Sequence, residues 1–84
     1  MKIRVLFFAS IREIAGCKEM EFDVPEGTRV GQFRRELVNR YPGMAPLEKV
    51  LSVAVNAEYA EDETVLMPDA EVALIPPVSG GRHV

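Results

Sequence analysis

Val72-Ala73-Leu74-Ile75-Pro76-Pro77 is a nearly continuous apolar run closed by two prolines, and its reading decides what kind of fold the chain can make. Four apolar residues in a row suit a strand at the centre of a sheet. Pro76 and Pro77 fix φ and withhold two amide donors, so the strand cannot be prolonged and the chain must leave the sheet extended. Val78-Ser79-Gly80-Gly81 follows, and then Arg82-His83-Val84. A glycine pair has no Cβ, so it fits a channel too narrow for side chains and leaves its carbonyl carbon open to attack. An ordinary polar chain end has much the same composition, and the tail alone does not choose between the two.

Working back from this run, Pro68-Asp69-Ala70 reads as a turn. Glu58 to Glu63 is an acidic connector with room for a brief strand around Tyr59. Leu51, Val53 and Val55 alternate in a strand that ends at Asn56, and Met44 to Val50 reads as a loop with at most a helical turn. Val30, Phe33, Leu37 and Val38 recur at the spacing of one helix face, which leaves Arg34, Arg35, Glu36 and Arg40 to water. Thr28 is placed to cap that helix and Tyr41-Pro42-Gly43 to stop it. Met20, Phe22 and Val24 alternate with Glu19, Glu21 and Asp23 in a half-buried strand ending at the turn Pro25-Glu26-Gly27. Ser10-Ile11-Arg12-Glu13 has the spacing of a capping box, and Gly16 can close the short helix behind it. In the opening strand Ile3, Val5 and Phe7 share one face and Arg4, Leu6 and Phe8 the other, so both faces are apolar toward its end. The order predicts an α+β domain in which one main helix covers a mixed sheet of four or five strands, its first two strands antiparallel.

The 84 residues suffice for one small domain, with about 60 to 65% of the unfolded chain's surface buried and little space for an internal cleft. Hydrophobic residues at 48% and charged residues at 27% describe a soluble globular chain, not a disordered one. A net charge of −3 gives no general attraction to phosphate, which argues against nucleic-acid binding. No apolar run approaches the roughly 20 residues that span a bilayer, and the start shows no signal-peptide pattern, so no membrane role and a cytoplasmic location are expected. The single cysteine, Cys17, agrees with a reducing compartment.

Side-chain catalysis finds few candidates. His83 is the only histidine and lies in the tail, which excludes a triad or a multi-histidine metal site. Cys17, between Gly16 and Lys18, reads as a small loop residue. Glu58, Glu61, Asp62 and Glu63 lack the glycine and ligand spacing of a calcium loop. Gly27 and Gly31 flank a helix start without the lysine and hydroxyl residue of a phosphate loop. These exclusions raise the value of a main-chain carboxylate as the reactive group, with no metal and no permanently bound cofactor.

Ile3-Arg4-Val5-Leu6-Phe7-Phe8-Ala9 with Arg12-Glu13 and Gly16, then Ala54-Val55-Asn56, and finally Asp69 to Gly81 resemble the small subunits of molybdopterin synthase, ubiquitin-like sulfur carriers of the β-grasp fold. The resemblance implies a β-grasp domain over residues 1–76 and a flexible tail over 77–84. It implies that the carboxylate of Gly81 is adenylated, with ATP, by a partner enzyme resembling ubiquitin-activating enzymes, and becomes a thiocarboxylate. The sulfur then goes to a pterin precursor held by the large subunit. Pro77, Val78, Ser79, Gly80 and Gly81, fully extended, reach on the order of 17 Å, enough to enter another protein's pocket. Phe8, Tyr59 and Ile75 are expected to form an apolar docking patch beside the root of this arm. Such carriers normally end at the second glycine. Removal of Arg82, His83 and Val84 by a peptidase, a cloning remnant, or loss of the carrier reaction would each account for the extension. Carriers for thiamine or amino-acid synthesis, and protein modifiers or binding modules, share the fold and remain alternatives.

Overall fold

Along β1 (Lys2–Phe7) the side chains of Ile3, Val5 and Phe7 are buried, Lys2 and Arg4 are exposed and Leu6 is half-buried. That period of two is what a strand covered on one face imposes. The computed structural model describes residues 1–77. After β1 come α1 (Ala9–Ala15), β2 (Glu19–Asp23), α2 (Val30–Arg40), a 3-10 helix (Pro42–Leu47), β3 (Ser52–Val55), β4 (Glu58–Ala60) and β5 (Glu71–Ile75). The five strands form one sheet in the order β2-β1-β5-β3-β4. β1 and β2 are antiparallel, as expected, with Ile3 opposite Phe22 and Val5 opposite Met20. β5 lies at the centre, parallel to β1 and antiparallel to β3.

Phe33 and Leu37 of α2, Ile11 of α1 and Met44 of the 3-10 helix are buried with Val5, Phe7, Val72 and Leu74 of the central strands, so the core lies on one side of the sheet. Phe22 meets Phe33 edge to face at 5.4 Å between ring centroids, a preferred geometry for two aromatic rings. The carbonyls of Asp62 and Thr64 accept the N–H groups of Gly31 and Val30, which have no partner within their own helix. Asp62 also holds Arg34, so this arginine lies over the connector while Arg35, Glu36 and Arg40 are exposed.

Both expected helix caps are displaced. Ala9, at φ 50°, turns the chain directly out of β1, so α1 begins with Phe8 as its N-cap and Ser10 lies inside the first turn. Gly16 does close α1, at φ 83° with its N–H on the carbonyl of Arg12. Thr28 turns backwards and its Oγ1 donates to the carbonyl of Pro25 at 2.6 Å, which tightens the turn around Gly27. Arg29 is the N-cap of α2, and Gln32 Oε1 accepts its N–H at 2.9 Å. The segment read as loop from Met44 begins inside the 3-10 helix, which Pro42 opens.

Candidate functional site

β5, which leads to the candidate tail, is anchored from both sides. Val72 and Leu74 are buried, Glu71 and Ala73 pair with Arg4 and Leu6 of β1, and Ile75 pairs with Ser52 of β3. Pro76, just past the ladder, is buried, and Pro77 is exposed. Burial on this strand thus ends between the two prolines. Val78, Ser79, Gly80 and Gly81, and with them Arg82, His83 and Val84, lie outside the described residues.

The sheet face opposite the helices is uncovered, and all three expected docking residues belong to it. Tyr59, 77% exposed, pairs with Ala54, which pairs with Ala73, which pairs with Leu6. Side chains of paired residues project to one side, so these four form a row across the sheet. Ile75 lies two residues beyond Ala73 on the same face. Phe8, 39% exposed, continues the alternation of Leu6 past the pair Phe7 and Leu74, which sets it beside Ile75. Tyr59 is two strands from β5, about 10 Å by strand spacing. Leu6, Ala54 and Ala73 complete the patch and were not foreseen. Ala54 and Ala73 are small enough to leave the Tyr59 ring and Ile75 raised above the sheet. The signal for Leu6 was the apolar second face of the opening strand, whereas Ala54 and Ala73 had none outside the strand register. Beside this row, Arg4 donates to Glu71 Oε2 at 2.8 Å, so a charged pair borders the patch.

The other candidates are not drawn together. Cys17 is half-buried and packs against the core. Glu58, Glu61 and Glu63 are exposed, and Asp62 is engaged by Arg34. Among the described residues no three of His, Cys, Asp and Glu are grouped so that they could hold a metal ion. No helix among them is long and apolar enough to cross a membrane.

Comparison with known proteins agrees with this geometry. The molybdopterin synthase sulfur carrier subunit of Caenorhabditis elegans is 39% identical over 83 residues, spanning 96% of this chain and 99% of that protein. A solved structure from Pyrococcus furiosus, named as molybdopterin converting factor subunit 1, superposes with a TM-score of 0.83 at 29% identity, over 93% of this chain and 99% of its own. SAMP1 from Haloferax volcanii gives a TM-score of 0.81 at 28% identity, over 96% of this chain and 100% of its own. The fold is therefore the ubiquitin-like β-grasp. With the family's sequence profile matched from residue 5 to residue 81, through β5 and on to the second glycine of the tail, the chain belongs to the ThiS family.

Proposed function

We propose that this chain is the sulfur carrier subunit of a molybdopterin synthase and acts through a thiocarboxylate on Gly81. The observation that carries the reading is the end of β5. A strand anchored on both sides delivers an exposed Pro77 beside an uncovered apolar patch, in a chain that matches a named sulfur carrier over nearly its whole length. Activation is needed because a carboxylate is a poor electrophile. The Gly81 carboxylate attacks the α-phosphorus of ATP on the activating partner and releases pyrophosphate. A sulfur nucleophile then displaces AMP, and the thiocarboxylate that results is ionised and nucleophilic at neutral pH. Phe8, Tyr59 and Ile75 dock on the large subunit, whose pocket takes up Pro77, Val78, Ser79, Gly80 and Gly81. Removal of Arg82, His83 and Val84 must come first, since only then does Gly81 bear the free carboxylate. No cofactor stays bound to the carrier, and its place of work is the cytoplasm.

The test is mass spectrometry after incubation with activating enzyme, ATP and a sulfur donor. A chain ending at Gly81 is expected to gain the mass of one oxygen-to-sulfur exchange, and the chain ending at Val84 is not. Transfer of that sulfur to a pterin precursor only when the large subunit is present assigns the pathway; an unchanged mass for the chain ending at Gly81 overturns the reading. The likeness to SAMP1, whose name is small archaeal modifier protein 1, favours a second reading, a protein modifier. In that case Gly81 is recovered in an isopeptide bond to lysine.

A further inference from the structure

The edge strand β2 lies at the other edge of the sheet from Tyr59, and the groove behind it opens on the helix side. Phe7 donates its N–H to the carbonyl of Lys18 at 2.9 Å, and Val24 donates its own to the carbonyl of Met1 at 2.9 Å. In an antiparallel ladder the residues that exchange bonds alternate, so Met20 and Phe22 face β1 with their main-chain groups. Those of Glu19, Glu21 and Asp23 point outward, and among the described residues no main-chain partner meets them. β2 thus presents three N–H groups and three carbonyls in line.

The two sides of this edge differ in character. Toward α2, an open groove of about 780 Å³ is lined by apolar Phe22, Val24, Phe33 and Leu37 together with polar residues of α2 such as Gln32 and Glu36. The Arg40 guanidinium lies 5.3 Å from the centroid of the Phe22 ring and borders the same groove. Toward the open face stand the carboxylates of Glu19, Glu21 and Asp23. Arg4, opposite Glu21, is turned to Glu71, so Glu19 and Glu21 have no ion pair among the described residues, whereas Asp23 already holds the Met1 ammonium at 3.2 Å.

We propose that the β2 edge accepts an extended segment of alternating basic and apolar residues as a sixth strand. Its main chain takes up the free groups of Glu19, Glu21 and Asp23. Residues facing Glu19 and Glu21 stand on the carboxylate side, where cations fit, and those between lie over Phe22 and the groove, where apolar side chains fit. A second copy of this chain is a poor occupant, because two β2 edges would set carboxylates against carboxylates.

The test uses the full chain, labelled with nitrogen-15, and a seven-residue peptide in which lysine alternates with valine and phenylalanine. On titration the amides of Glu19, Glu21 and Asp23 should shift and gain protection from hydrogen exchange. The same peptide N-methylated at every second residue should lose the effect while leaving the protein untouched. Glu19→Lys with Glu21→Lys should weaken binding about tenfold or more. Shifts confined to other residues, no shift at millimolar peptide, or equal binding of a peptide with glutamate in place of lysine would each overturn the proposal. None of these readouts depends on Gly81 or on sulfur transfer.

Discussion

Asn56 and Ala57 occupy the two-residue turn between β3 and β4 with φ of 50° and 71°, both in the left-handed region. Such a turn matches the twist of a hairpin, and glycine suits its second position best. Ala57 carries a Cβ there, at a cost of about 1 to 2 kcal/mol. Ala57→Gly is therefore expected to raise stability by about 0.5 to 1 kcal/mol in urea unfolding, part of the gain being lost to the freer unfolded chain. Asn56 accepts the N–H of Glu71 through Oδ1 at 2.9 Å and donates its own N–H to the carbonyl of Glu71 at 2.8 Å, so it fastens the hairpin to β5. Asn56→Ala should lower stability by about 1 to 2 kcal/mol, read from the same unfolding curves. In the sequence Asn56 was read as the end of a strand and as part of the Ala54-Val55-Asn56 resemblance, with no structural role assigned to it. Its two bonds to Glu71 join residues fifteen apart, a distance over which local pattern is silent.

At the scale of elements, what could be read depended on whether the decisive chemistry was local. The apolar run before two prolines identified β5, and the three- and four-residue steps of Val30, Phe33 and Leu37 identified α2, because each needs only its own neighbourhood. Caps failed at Ser10 and Thr28 because the exit from β1 at Ala9 and the turn at Pro25 decide which residue begins a helix. The uncovered apolar face was half legible. Alternation showed that Leu6 and Phe8 share an apolar side, but whether that side is covered is settled by the register from β1 through β5 and β3 to β4. Leu74, buried between β1 and β3, should cost about 2 to 5 kcal/mol when changed to alanine. Tyr59→Ala should leave the unfolding midpoint within about 0.5 kcal/mol of the parent, since its ring is exposed. The same change should weaken binding of the large subunit by about 2 kcal/mol, roughly thirtyfold, in calorimetric titration.

For the whole molecule, stability of a domain this size is on the order of 4 to 13 kcal/mol, so the loss expected for Leu74→Ala is a large share of it. The proposal of a main-chain reactive group rests on exclusion, as the sequence offers one histidine and one cysteine. The groove behind β2 was not, since it exists only once α2 lies across the sheet. A further consequence follows from the parallel pairing of β1 with β5. The strand that completes the middle of the sheet is the last of the five to be synthesised, and it must find the first across most of the chain. Contacts between such distant segments form slowly, because the intervening loop has to close first. A nascent chain on the ribosome has β1 with a vacant flank until β5 emerges, and the segment beyond Pro77 emerges later still. Under the proposed function, an activating enzyme that grips the finished sheet would thus meet only chains in which β5 has already closed against β1.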